Sequence, residues 1–566
     1  MGPGKYEGRL ELTWTNKHLR LLAQDDGTYE WVNPADYRVA EVRLLHSAGA
    51  VGKVGPEGSR ARDNLLIKGD ALNGLTSLAQ LPEFASEYLG KVKLAYLDPP
   101  FNTQQSFLQY DDALEHSVWL TMMRDRLLQI KALLSPEGSV WVHCDDSEQH
   151  RLRCVMDEIF GADKFIACVI WQKRYSRDNR PAIGPVHDFI LVYAPSGQEW
   201  KNHRNRILRE SATQYRNPNN DPRGLWRPIP MTAQGYRPNQ MYEIVSPAGV
   251  VHKPPKGRCW SMVRERLDEL LSQGRIYFGQ DGASQPNVIR YLDEDEGLVP
   301  WTWWPHVEVG HTDEAKKEIL NLFPDVEAFQ TPKPERLMQR IIHIASDPGD
   351  TVLDCFAGSG TTGAVSQKLR RHWVLIERDA QVMDTYAVPR LLKVVTGEDP
   401  GGITESAGWE GGGGIRILEI ANSMFESEGG LVFLAEWMTN GALAEATAAQ
   451  LGYKYEDDPP FAGRKGRTRL SVVDGVVNDS VVRLLTGALA NDERLVVCGT
   501  AIDPEVRALL KDLRPGSTMR KIPAALLARY RQSDQLRFDV AATNPIEGNG
   551  GPSGKEANPQ RRKLAT

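Results

Sequence analysis

The sequence predicts an α/β protein built on a doubly wound, mostly parallel sheet, with an inserted irregular region and a small C-terminal α/β domain. Two stretches predict it. An apolar run at residues 92–97 stops at Asp98-Pro99-Pro100-Phe101, and a second at residues 351–353 enters the loop Ala357-Gly358-Ser359-Gly360 and a helix opening near Thr361. Around them strand-like runs alternate with helical periodicity, the order that places crossover helices on both faces of a parallel sheet.

A chain of 566 residues exceeds one hydrophobic core and implies about three or four units at ~150 residues each. Apolar residues make up 41%, enough to fill those cores. Net charge is −6, so attraction of the whole surface to nucleic acid is excluded and any DNA contact must come from a local basic patch. Cys144, Cys154, Cys168, Cys259, Cys355 and Cys498 form no Cys-x-x-Cys pair and no zinc spacing with histidine. Reduced thiols, no metal site and a cytoplasmic setting are expected. The N-terminus lacks a signal-peptide core and no apolar run reaches membrane-spanning length, so no membrane partner is expected.

Residues 1–60 alternate apolar runs (9–14, 29–32 and 37–45) with turn residues and end in the Gly-rich stretch 49–58. They are expected to form a small β-rich module, with Trp14, Tyr29 and Trp31 in its core or, alternatively, against DNA. Residues 61–200 follow as one half of the main sheet. A strand at 64–68 ends in Gly69-Asp70, and a helical pattern runs over 71–81, for which Asp70 is the natural N-cap. After the 92–97 strand, Pro99 and Pro100 cannot continue the ladder, so Asp98 sits at a carboxyl edge, where open α/β sheets bind ligands.

A rigid acceptor at such an edge suits activation of an aromatic amino group. The lone pair of the amino group on adenine C6 is delocalised into the ring. Acceptors on its two protons, here the Asp98 carboxylate and the Pro99 carbonyl, draw the nitrogen toward tetrahedral geometry and free that pair to attack an electrophilic methyl group. Pro99 and Pro100 hold the acceptors still, and Phe101 offers a flat face to a base swung out of its stack. A solvated Asp in a proline turn is the alternative these residues leave open.

A mobile loop is expected at 103–114, then an amphipathic helix over 115–134 stopped by Ser135-Pro136-Glu137-Gly138, a strand at 139–143 and a helix ending at Phe160. Further strands are expected at 166–171 and 188–193. Between them Lys173, Arg174, Arg177 and Arg180 surround Tyr175, a loop suited to a phosphate backbone or to plain solvation. Residues 201–310 read as an inserted recognition region: over 201–240, eight Lys or Arg face two acids, with Tyr215, Trp226 and Tyr236 interleaved. Arg216, Arg223, Arg227, Lys256 and Arg258 are its candidate DNA contacts. A helix ending at Gln273 and a strand at 275–278 follow, while Trp301, Trp303 and Trp304 are read as packing residues, with stacking as the alternative.

Residues 311–396 form the second half. Gln330-Thr331-Pro332-Lys333-Pro334 opens a helix over 335–345, and a strand over 373–376 ends at Glu377. Gly358, Gly360 and Gly363 match the dinucleotide fingerprint, with Glu377 nineteen residues after Gly358. The spacing alone therefore fits NAD as well as S-adenosylmethionine. Residues 397–414 read as a Gly-rich hinge and 541–566 as a disordered tail. Residues 415–540 read as an α/β domain, with strands at 469–473 and 494–498 and helices at 480–489 and 504–513, serving dimerisation, partner docking or structural support. No Gly-x4-Gly-Lys-Ser/Thr motif occurs, so any cleavage activity belongs to another polypeptide, and no Pro-Cys pair occurs, which excludes cytosine C5 chemistry.

Asp98-Pro99-Pro100-Phe101 followed by Asn102 resembles the signature of amino-methyltransferases acting on exocyclic nitrogens of DNA bases. Asp354-x-Phe356-Ala357-Gly358-Ser359-Gly360-Thr361 resembles their cofactor loop, and residues 330–335 their element that holds the methionine carboxylate. With the tetrapeptide ahead of the loop, the chain resembles the permuted β class, and most of all the modification subunits of type III restriction systems, over about residues 60–400. The resemblance implies a circularly permuted Rossmann-like sheet and S-adenosylmethionine as cofactor, with Glu377 on its ribose, Asp70 beside its adenine and Lys333 as the charge for its carboxylate. It also implies double-stranded DNA as substrate, adenine N6 as target by base flipping, a homodimer and a separate restriction or helicase subunit. Cytosine N4 methylation and a catalytically silent recognition subunit are the alternatives. A dehydrogenase has no use for Asp98 to Phe101, and Asp98 in place of Asn argues against protein-glutamine methylation.

Overall fold

The computed structural model describes residues 11–23, 29–102, 115–177, 181–207, 215–294, 297–327 and 329–531. The loop expected at 103–114, Arg180 and the tail at 541–566 lie outside them. Ten strands form one sheet: β1 (Leu45–Gly52), β2 (Asn64–Lys68), β3 (Val92–Leu97), β4 (Leu134–Cys144), β5 (Phe165–Gln172), β6 (His187–Tyr193), β7 (Trp303–Trp304), β8 (Thr351–Asp354), β9 (His372–Glu377) and β10 (Gly414–Ile420). Their order across the sheet is β7-β5-β6-β4-β3-β8-β9-β2-β10-β1. All junctions are parallel except β5 with β6, β6 with β4 and β10 with β1.

The central strands are apolar on both faces, as strands covered on both sides must be. Leu94, Ala95, Tyr96 and Leu97 of β3 and Leu65, Leu66 and Ile67 of β2 are buried. Alternate residues feed two cores. Ala95, Leu97, Leu65 and Ile67 pack with helices α1 (Ala71–Gln80), α2 (His116–Leu133) and α3 (Gln149–Phe160), through Leu75, Trp119, Met123 and Met156. Leu94, Tyr96 and Leu66 pack on the opposite face with α4 (Glu335–Ala345) and α5 (Thr361–Lys368), through Met338, Ile341 and Val365. The sheet is thus doubly wound, and its parallel strands point their carboxyl ends the same way.

The described residues among 1–60 do not fold apart from this sheet. Residues 37–40 form a helical turn, not a strand, because Asp36 accepts from the Arg38 amide and caps it. Residues 20–23 and 29–32 make a hairpin, and β1 pairs with β10 at the edge of the main sheet. Trp14, Tyr29 and Trp31 lie against the main core, with the Trp14 indole donating to Thr121 Oγ1 at 2.7 Å.

The Gly-rich stretch expected as a hinge is closely packed. A Cβ on Gly397 would meet the Glu410 carbonyl at 2.5 Å, and one on Gly414 the Lys53 carbonyl at 2.1 Å. These glycines serve backbone approach, not flexibility. The helix expected over 115–134 does stop there, ending at Leu133, but the stop residues 135–138 join the following strand: β4 begins at Leu134, with a register shift against β3 and with Pro136 and Glu137 turned to solvent.

Between β6 and β7 lies an antiparallel region whose largest sheet joins residues 276–277, 287–291 and 226–230. Its cores are made by Met231, Trp260, Leu267 and Phe278, and by Trp226 with Tyr291. Tyr215 and Trp226 are therefore packing residues, while Tyr236 is exposed. The chain returns at β7, where Trp304 is buried against Trp141, while Trp301 and Trp303 are exposed. After β10, helix Asn440–Leu451 packs into the main core, and a five-stranded sheet with helices Asp479–Gly487 and Val506–Leu513 builds a second one.

Buried charges tie α4, α5 and the Gly-rich stretch together. Lys368 Nζ lies 2.7 Å from Glu335 and 2.6 Å from Asp399, and Arg390 lies 2.9 Å from Glu335, all four side chains being nearly inaccessible. Removing one member of such a cluster strands the others without compensation. Glu335→Ala is expected to cost about 3–5 kcal/mol, read as a lowered thermal midpoint; a midpoint equal to wild type would contradict this packing.

Candidate active site

Parallel pairing sets Leu94 opposite Val352 and Ala95 opposite Leu353, so the segments leaving β3 and β8 emerge side by side. Between them opens a cavity of about 1680 Å³ lined by Asp98, Pro99, Phe101, Asp354, Gly358 and Glu377, among others. The two stretches singled out in the sequence thus face one space.

Asp98 does not stand free. Its Oδ2 accepts from Lys333 Nζ at 2.5 Å, and that ammonium lies 5.2 Å from the centre of the Phe101 ring. Lys333, expected toward the cofactor carboxylate, is here the counter-charge of Asp98, because a mostly buried carboxylate is stabilised by a cation within contact distance. The rest of the turn is held from outside: the Trp119 indole donates to the Pro100 carbonyl at 2.6 Å. Asn102 takes a left-handed φ of 60° and donates to the buried Glu148 at 2.7 Å. Phe101 lies on the His143 ring, 5.5 Å between centres and 25° from parallel.

On the other wall, Asp354 is fully buried, accepts from Phe356 N at 2.9 Å and Thr362 Oγ1 at 2.6 Å, and is pushed by burial up to about 7. Gly358 and Gly360 have φ of 50° and 76°, a conformation open to glycine at little cost. Gly363 admits α5 close to β9: a Cβ there would meet Leu375 at 2.7 Å. Glu377 accepts from Gly358 N at 2.7 Å and Asp379 N at 2.9 Å, and burial raises its pKa. Asp70 caps α1, accepting from Leu72 N at 2.7 Å, and pairs with Arg126 at 3.1 Å while facing the same cavity. Ala357 and Ser359 are buried in the loop, the Phe356 ring lies 5.9 Å from the Arg126 guanidinium, and Thr361 Oγ1 accepts from Arg390 at 2.8 Å. Two carboxylates and a glycine-lined backbone facing one cavity fit the ribose, ring amine and tail of S-adenosylmethionine.

The basic residues expected at DNA divide. Lys173 turns inward and pairs with Asp188 at 2.5 Å, because that buried carboxylate requires a cation. Arg174 is exposed and lines the cavity, and Arg177 is exposed beside it. In the inserted region Arg216 and Lys256 are exposed. Arg223 pairs with Asp221 and covers the Tyr291 ring, Arg227 donates to Tyr215 Oη, and Arg258 donates twice to Thr232. Arg223, Arg227 and Arg258 thus hold the region together.

Sequence reasoning missed Tyr96, His143 and Asp188, which gather behind Phe101. A signal existed: β6 runs antiparallel to β4, with Cys144 opposite Phe189, so its first residues arrive where β4 ends. Among the described residues no cluster of three or more His, Cys, Asp or Glu could hold a metal ion, and no helix is long and apolar enough to cross a membrane.

Residues 92–388 match the family model described as DNA methylase. The chain is 32% identical over 341 residues to the type III restriction-modification enzyme StyLTI Mod subunit of Salmonella typhimurium, covering 53% of this chain and 49% of that protein. To the "Probable type III restriction-modification enzyme HindVI Mod subunit" of Haemophilus influenzae it is 30% identical over 414 residues, covering 63% and 54%. To the type II methyltransferase M.EcaI of Enterobacter cloacae it is 29% identical over 315 residues, covering 53% and 66%. The chain spans about half the length of the first two, 49% and 54%.

Raised from 3.8 to about 7, Asp354 favours the protonated form in the folded state. Its contribution to stability is complete below about pH 4 and is lost as pH rises through about 7. The melting advantage of wild type over Asp354→Asn is expected to shrink across that window; an advantage that grows with pH would contradict the burial described.

Proposed function

The chain belongs to the DNA methylase family, and on that premise we propose that it methylates adenine N6 at a specific site in duplex DNA, using S-adenosylmethionine and a flipped target base. The observation that carries this reading is the shared cavity, in which Asp98 to Phe101 face Asp354 to Ser359 and Glu377. When bound, S-adenosylmethionine supplies an electrophilic methyl group on a sulfonium. The rest is done by the chain's own residues.

Phe101 receives the extruded base on the face turned away from His143. The Asp98 carboxylate and the Pro99 carbonyl accept the two amino protons, and the nitrogen lone pair becomes available in line with the methyl group. Docking of the base draws Asp98 from Lys333, whose ammonium lies over the same ring. The amino proton leaves to Asp98 or to water. Glu377 holds the ribose hydroxyls, Asp70 the adenine amine and the backbone of residues 357–360 the methionine portion.

The inserted region at 201–310 reads the target, with Arg174, Arg177, Arg216 and Lys256 at phosphates. The 415–540 domain serves dimerisation or docking of a separate restriction subunit, within the cytoplasm. The relatives named as Mod subunits and as a type II methyltransferase support a restriction-modification role.

Incubation with unmethylated DNA and labelled S-adenosylmethionine, followed by digestion to nucleosides, is expected to yield N6-methyladenine. Asp98→Ala is expected to lower transfer by about 100-fold or more while DNA binding persists. Recovery of N4-methylcytosine would move the assignment to cytosine, and DNA binding without transfer by wild type would leave a recognition subunit.

A further inference from the structure

Beneath Phe101 runs a chain of buried polar groups that the transfer chemistry leaves unused. His143, at the end of β4, is wholly buried, with its ring edge-on to Tyr96 and to Trp171. Its Nδ1 is hydrogen-bonded to Tyr96 Oη at 3.0 Å, and its Nε2 faces Asp188 Oδ2 at 3.4 Å without a hydrogen bond. The other Asp188 oxygen accepts from Lys173 at 2.5 Å.

Burial raises the Asp188 carboxyl, but His143 and Lys173 more than offset this and bring it down to about 2, so it is an acceptor only. With the imidazole proton on Nε2, facing that carboxylate, Nδ1 accepts from Tyr96 O–H. Burial, together with the nearby Lys333 charge, lowers the His143 pKa and keeps the ring neutral. Tyr96 is two residues before Asp98 on β3, so the chain joins the strand carrying the acceptor to β6 through the ring under Phe101.

We propose that His143 is a positioning residue for base stacking: a ring held by Tyr96, packed edge-on by Trp171 and faced by the Asp188 carboxylate, that sets the plane and depth of Phe101, and so the height at which a flipped base meets Asp98. Lys173 holds Asp188 in place from the far end. An aromatic platform with nothing fixed behind it could tilt, and a displacement of about 1 Å at the reacting atoms costs on the order of 100-fold in rate. The role rests on the reading of Phe101 as the base platform.

The test compares wild type with His143→Ala, Asp188→Asn and Phe101→Ala, with turnover measured on duplexes that keep the target adenine and base flipping on separate duplexes that carry 2-aminopurine in its place, once sequencing of methylated DNA has given the target. The His143 and Asp188 variants are expected to lose about 10- to 100-fold in kcat. Their affinities for S-adenosylmethionine and DNA should stay near wild type, and 2-aminopurine fluorescence should rise because the base is flipped but poorly stacked. Should His143→Ala fail to fold, Asp188→Asn and Lys173→Met carry the same readouts. Wild-type kcat in these variants, or a parallel loss of cofactor affinity and melting temperature without a kcat effect, would overturn the proposal. If Phe101→Ala keeps wild-type rate, the platform reading itself fails; if it alone loses rate, only the His143 role fails.

Discussion

Two parallel contacts, Leu94 with Val352 and Ala95 with Leu353, hold β3 beside β8 and decide where everything else must go. One strand comes from the first half of the chain and ends in Asp98; the other comes from the second half and ends in Asp354. Their adjacency turns two distant sequence stretches into facing walls of one cavity. It also explains why the inserted region can leave between β6 and β7 without disturbing the site: the ladder is closed by strands on either side of the insertion.

The electrostatics of that cavity follow from the same crowding. Strand ends bring carboxylates together in a poorly solvated space, and each is handled differently. Asp98 and Asp188 are given lysines, Lys333 and Lys173. Glu377 is satisfied by backbone amides, and Asp354, without a cation, is pushed toward neutrality. The site is therefore prepared on its two walls in different ways, with a charge-balanced acceptor on the wall proposed for the base and amide-bound acids on the wall proposed for the adenosyl group.

Much of this was legible from residue order. The 92–97 run is bounded by prolines, and the 351–354 run by aspartate and glycine, so strand and edge could be read directly. What escaped reading depends on partners far away in sequence. Tyr37 to Leu45 has β-prone residues, but the Asp36 cap makes its start helical. The glycines at 397–414 look flexible in sequence, yet Gly414 and Gly397 at the ends of that stretch are fixed by the backbones of Lys53 and Glu410. Lys173 looks like a phosphate contact until β6 places Asp188 beside it, and His143 gains meaning only when Phe101 folds over its ring. Tyr215 and Trp226 sit in a basic, aromatic stretch, yet a small region needs them for its own core.

The most direct measurement is a structure of the protein with a non-reactive S-adenosylmethionine analogue and duplex DNA. It should show the extruded base on Phe101 and its amino nitrogen at Asp98, about 3–3.5 Å from the position of the transferable group, with Glu377 on the ribose. An analogue and a base bound in separate places, or a base left stacked in the duplex while the cavity holds only the analogue, would contradict it.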